Sequence, residues 1–130
     1  MQSFEINLPD VIAEVTAFFE RYQQALQNND IAVLDATFWD RPHTVRYAVG
    51  ENGYGFEQIQ AHRRARSAPS TQEARLKTVV TTYGRDVATT NIEYTVRGQK
   101  DRTGRQTQTL IRFPDVGWKV VSAHVSFLPK

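Results

Sequence analysis

The chain has 130 residues, 40% of them hydrophobic, 11% aromatic and 23% charged, with a net charge of +2. That length suits one domain, residues 1–130, with a single core burying roughly two thirds of its unfolded surface, and the composition lies far from that of disordered chains. The absence of cysteine excludes a disulfide framework and a thiol nucleophile, the small net charge does not point to nucleic acid, and no apolar run approaches the roughly 20 residues of a membrane helix.

The opening residues, "MQSFEINLPD", lack the basic start and apolar stretch of a signal peptide. The expected location is therefore the cytoplasm. In "PDVIAEVTAFFERYQQALQNND", Ile12, Val15, Phe18, Phe19, Tyr22 and Leu26 recur at helical spacing, with Pro9 and Asp10 as start signals and "NND" as the stop. Asp30 then caps a shorter helix, "IAVLDATFW", with Ile31, Leu34 and Phe38 on its apolar face.

"HTVRYAVG" follows as a strand, and "ENGYG" is expected to close it as a turn. "FEQIQAHRRARS" returns to helical spacing, with Phe56, Ile59, Arg63 and Arg66 on one side. From Arg75 onward, four strands are predicted: "RLKTVVTTY", "VATTNIEYTVR", "RQTQTLIRF" and "WKVVSAHVSF". The linkers "GRD", "GQKDRTG" and "PDVG" suit antiparallel hairpins. In the second of these strands Thr90, Ile92, Tyr94 and Val96 share one face, the period of two expected where the two sheet faces meet different surroundings. The predicted architecture is α+β: three N-terminal helices on a strongly curved, mainly antiparallel sheet, a cone that encloses a pocket. The other sheet face suggests a homodimer or a larger homo-oligomer.

Several residues do not fit a purely structural role. Arg46 sits inside the strand "TVRYAV", on the face shared with Thr44 and Ala48 and opposite to Val45, Tyr47 and Val49. If that face is solvent, Arg46 is an ordinary surface residue. If it faces the cone, an ionised guanidinium in a partly dry site needs an anion, either internal or a ligand. Tyr22 lies on the apolar stripe of the first helix, either as packing or with its hydroxyl at the cavity wall, where a neighbouring guanidinium would make it a better acid. Arg63 and Arg66 occupy positions where the third helix should stay apolar, and the arginine fork matches a carboxylate. Arg64 reads as a basic helix end. His124 and Ser126 share one side of the last strand with Ser122; they face either the pocket, as ligand contacts, or the interface between copies. Asp35 and Asp40 are surface and turn residues that stand in reserve as bases. The three histidines, His43, His62 and His124, show no metal-ligand spacing. No metal and no cofactor are expected.

The order of elements resembles the NTF2-like superfamily, the SnoaL-like or cone-shaped α+β fold, which includes ketosteroid isomerase, scytalone dehydratase and non-catalytic members. Within it, "FWD.P.TVRY", "YGFEQI", "R.AR", "GRQTQT" and "GWKVVSAHVS" resemble the AtzH/HpxZ-like family found beside amidases in bacterial ureide and cyanuric acid catabolism. The resemblance spans essentially the whole chain. It implies a cofactor-independent hydrolase or decarboxylating lyase that converts 1,3-dicarboxyurea to allophanate, with Tyr22 and Arg46 on the catalytic positions and association with a pathway amidase. His62 departs from the aromatic or apolar residue expected there, which bears on the pocket's width. Arg63, Arg66, His124 and Ser126 are placed in substrate binding by charge and spacing, not by the resemblance. The rival class is a non-catalytic module that binds an anionic carboxylated urea or the amidase. Nucleic-acid binding through "HRRAR" and the stretch 97–112 would show steep salt dependence, but no aromatics are interleaved with those charges.

Overall fold

The computed structural model describes residues 4–66 and 70–129. Its elements run α1 (Pro9–Asn28), α2 (Ile31–Thr37), β1 (Val45–Ala48), β2 (Glu51–Tyr54), α3 (Phe56–Arg66), β3 (Gln72–Tyr83), β4 (Val87–Val96), β5 (Gln99–Phe113) and β6 (Gly117–Leu128). Ser67, the expected last residue of the third helix, and the first three residues lie outside the described residues.

α1 begins at Pro9, whose fixed φ and missing N–H suit the first helical turn. It ends at Asn29, which takes the left-handed conformation and returns its N–H to Leu26. Between these ends, Val11, Val15, Phe19, Tyr22 and Ala25 are buried on one stripe. α2 starts where the Asp30 carboxylate accepts from the Val33 N–H at 3.3 Å. A buried phenylalanine such as Phe19 contributes about 1.5–3 kcal/mol by leaving water.

The strands form one six-stranded sheet in the order β2-β1-β6-β5-β4-β3. All neighbours are antiparallel except β1 and β6, which run parallel. Register shifts interrupt β3–β4, β4–β5 and β5–β6; such bulges bend a sheet and raise its twist. The helices pack against the concave side. Val11, Val15, Leu34, Phe38, Ile59, Leu110 and Val120 form the main cluster, while Phe19, Ile92, Tyr94 and Val96 form a second one.

Two expectations need correction. "ENGYG" is not a terminating turn: Glu51–Tyr54 is strand β2, paired Val45 to Tyr54 and Ala48 to Glu51, and the chain reverses at Val49 and Gly50. The Asn-Gly pair that signals a turn serves packing instead, because a Cβ at Gly53 would lie 2.8 Å from Ile59 Cγ1, so the missing side chain lets α3 approach β2. Nor is "GQKDRTG" a loop throughout. β5 begins at Gln99, paired with Val96, and only Arg97 and Gly98 make the reversal. Among the described residues, no helix is long and apolar enough to cross a membrane, and no cluster of three potential metal ligands occurs.

Candidate active site

A cavity of about 470 Å³ opens between α1, α3 and the concave sheet face. Its wall is formed by Tyr22, Leu26, Asn29, Leu34, Arg46, Ala48, Val49, Arg63, Arg66, Ser70, Thr71, Gln72, Tyr94, Gln99, Gln106, Val125 and Phe127. Three guanidiniums and two phenols thus meet on a wall that, among the described residues, carries no carboxylate.

Each side chain arrives there for a local reason. β1 and β6 pair Arg46 with Ala123 and Tyr47 with His124. Partners in a parallel pair point to the same side, and Ala123 is core, so Arg46 faces the cavity while Tyr47 and His124 face out. Helical periodicity brings Tyr22 round to the wall one turn after Phe18 and Phe19, and its ring meets Phe38 edge-on at 6.1 Å between centroids. Arg63 and Arg66 sit in the last turn of α3, where cations also complement the helix dipole.

The guanidiniums divide into two pairings. Arg46 Nη1 donates to Glu51 Oε1 at 3.2 Å, and Arg66 Nη1 reaches the same oxygen at 2.7 Å. One carboxylate therefore serves two cations, and it stands behind them, outside the set of lining residues. Arg63 is 4% exposed; it donates to Asp35 Oδ1 at 2.8 Å and lies over the Phe38 ring at 4.9 Å. Asp35 also accepts from Gln60 at 3.0 Å and faces Arg64 at 3.8 Å. Among the described residues, the carboxylates paired with Arg46, Arg63 and Arg66 are Glu51 and Asp35, so the wall keeps an excess of positive charge. Burial, together with the Arg46 and Arg63 guanidiniums, pushes the Arg66 pKa down, opposed by Glu51. The field at Arg66 favours an added anion.

Three buried glutamines, two of them in the wall, close a ring. Gln23 Nε2 donates to Gln72 at 2.8 Å, Gln72 Nε2 donates to Gln106 at 3.2 Å, and Gln106 Nε2 donates back to Gln23 at 3.2 Å. Each amide keeps one further donor and acceptor position, and Gln72 and Gln106 are among the residues that line the cavity. By contrast, neither Tyr22 nor Tyr94 has a hydrogen-bond partner for its hydroxyl among the described residues, although both side chains are buried.

The structure thus brings Tyr22, Arg46, Arg63 and Arg66 together around one cavity. His124 and Ser126 are not part of it. They alternate with Val125 and Phe127, which do line the cavity, and so point to the outer face, where His124 meets the Tyr47 ring at 5.7 Å. The choice between pocket and outer face thus falls to the outer face. Asp35 is committed to Arg63 and does not line the cavity; Asp40 and His62 do not line it either. Sequence reasoning passed over Glu51, hidden by the turn signal around it, and gave Tyr94, Gln72 and Gln106 no role. For Tyr94 the signal was present, since period-two alternation puts it on the inner face with Ile92 and Val96.

Comparison with known proteins agrees with this architecture. A cystatin-like fold protein from Burkholderia xenovorans LB400 is 43% identical, with a TM-score of 0.90 and 98% of each chain covered. A protein of the DUF3225 family from Pectobacterium atrosepticum SCRI1043 is 49% identical, with a TM-score of 0.84 and 95% of this chain and 94% of that chain covered. An NTF2-like superfamily protein from Salmonella enterica serovar Typhimurium, 22% identical with 93% of each chain covered and a TM-score of 0.71, shares the fold. Among curated proteins, none matches the chain. The fold is NTF2-like, and since the AtzH-like family profile matches residues 4–130, the chain belongs to the AtzH-like family.

Proposed function

We propose that the chain is a cytoplasmic, cofactor-independent enzyme acting on a small carboxylated urea, with 1,3-dicarboxyurea converted to allophanate as the reaction that fits best. The observation that carries this reading is the cavity wall itself: Arg46, Arg63 and Arg66 beside two unpartnered phenols, and no carboxylate among them. Such a wall suits a planar substrate with a carboxylate at each end. Arg46 and Arg66, which share Glu51, form the anion-facing pair, and a guanidinium fork holds a carboxylate in two parallel hydrogen bonds. Arg63, held by Asp35, adds positive field from its place in the wall.

In the reaction the bond between one terminal carboxylate carbon and its nitrogen breaks. Its electron pair stays on nitrogen, carbon dioxide departs, and the nitrogen takes up one proton, giving allophanate. Tyr22 delivers that proton, while Arg46 stabilises the negative charge that develops on the urea oxygen as the bond breaks. A hydrolytic route, with water attacking the terminal carbonyl against Arg46, gives allophanate and bicarbonate. Both routes use the same two side chains.

The account predicts that Tyr22→Phe keeps the fold and loses turnover by at least about 100-fold, the scale of a missing proton donor. Steady-state kinetics beside a thermal melt read both quantities, and wild-type activity in the variant removes the phenol from the mechanism. Saturable binding of carboxylated ureas, or of a pathway amidase, without product would support a carrier or partner module instead. In the same reading the outer sheet face meets a second copy of the chain, where Tyr47 and Tyr54 join hydroxyls at 3.2 Å and remain exposed.

A further inference from the structure

We propose that Tyr94 is a second ligand-binding phenol of this cavity, donating its hydroxyl hydrogen to an oxygen of the bound anion. The proposal rests on the reading that the cavity takes a small carboxylated anion.

Tyr94 is only 2% exposed, and its hydroxyl bonds to nothing among the described residues. That hydroxyl is not among the sealed polar atoms left without a partner, so it opens into the cavity that Tyr22 and Arg46 also line. A polar atom held open towards an anion site has a partner to gain when that site fills.

The ring is also held in place. Tyr94 on β4 lies directly across from Gly104 on β5. A Cβ built at position 104 would fall 2.1 Å from Tyr94 Cε2 and 2.2 Å from Cζ. The ring therefore lies flat across the β5 backbone, in space that any other residue at 104 would occupy. Phe19, Val125 and Phe127 belong to the same cluster. A hydroxyl on a ring fixed this way is preorganised and loses little conformational entropy when it engages a ligand.

Electrostatics supports the direction of donation. Burial and the neighbouring Tyr22 push the Tyr94 pKa up, with Arg46 opposing, so the phenol is neutral at physiological pH and acts as a donor. Hydrogen bonds from a neutral donor to an ionised acceptor are about twice as strong as those between neutral groups. Tyr94 thereby complements the guanidiniums: they supply charge and it supplies a directed, uncharged donor.

The test uses two dicarboxylates that lack the scissile carbon–nitrogen bond, the β-keto acid being dissolved fresh and cold for each titration because it loses carbon dioxide on standing. Acetone-1,3-dicarboxylate has the length of 1,3-dicarboxyurea and keeps its central carbonyl; glutarate has the same length without that carbonyl. Calorimetric titration is made on the wild type, Tyr94→Phe and Gly104→Ala, each with a thermal melt. Tyr94→Phe is expected to fold and to bind more weakly by about ten- to hundredfold, the loss of one hydrogen bond to a charged or developing-charge acceptor. Weakening for both ligands assigns the donor to a carboxylate. Weakening confined to the ketone assigns it to the central carbonyl. Gly104→Ala, which displaces the ring, should lower affinity in the same pattern. Wild-type affinity for both ligands in Tyr94→Phe overturns the proposal while leaving the anion site standing, whereas failure of the wild type to bind either dicarboxylate overturns the anion site and the proposal together.

Discussion

Glu51 answers the question that Arg46 poses. A guanidinium inside a β-strand needs an anion, and Glu51 supplies half of one, because the same oxygen also serves Arg66. Removing its charge leaves two guanidiniums facing each other with no counterion, so Glu51→Gln should lower stability by about 1–2 kcal/mol, discounted for partial exposure. Chemical denaturation reads that loss. Glutarate should stabilise the variant more than the wild type, since it brings the missing carboxylates, and equal responses would mean that the two arginines are not a shared anion site. Tyr22 and Arg46 were legible in the sequence because each interrupts an otherwise apolar pattern. Glu51 was not, because it sits beside an Asn-Gly pair that imitates a turn; the inward face of Tyr94 was legible in the period-two alternation, but a strand tyrosine is ordinary until its unpartnered hydroxyl is seen.

Helices and strands were read with fair accuracy wherever periodicity spoke alone. α1, α2 and α3 fall close to their predicted spans, and the four late strands appear in order. The misplaced parts, β2 and the start of β5, are the second arms of tight hairpins, Ala48 pairing with Glu51 across residues 49–50 and Val96 with Gln99 across residues 97–98. In each case a stronger turn signal lies just beyond the true reversal and displaces the predicted turn. The glutamine ring is out of reach of any local signal, joining α1, β3 and β5 through residues 49, 34 and 83 positions apart. Gln106→Leu deletes two of its three bonds and orphans a donor on Gln72 and an acceptor on Gln23. At about 1–3 kcal/mol for each orphaned group, urea denaturation should show a loss of roughly 2–4 kcal/mol. A neutral result would mean that water or a rearranged pair satisfies these amides.

The molecule as a whole presents two unlike sheet faces. The concave one carries the core and the cavity. The convex one is largely polar, with Thr107 bonded to Asn91 at 2.8 Å and with Tyr47, Tyr54 and Val79 exposed. Light scattering is expected to give twice the 14.9 kDa chain mass or a larger multiple, and a monomer at micromolar concentration would contradict pairing through that face. The central claim concerns the other face, that its guanidinium and phenol wall turns over a carboxylated urea. It is tested most directly by carbon-13 NMR on freshly generated 1,3-dicarboxyurea, with and without the purified protein. The account predicts that allophanate signals grow faster with protein present than in its absence; decay at the same rate in both samples would contradict it.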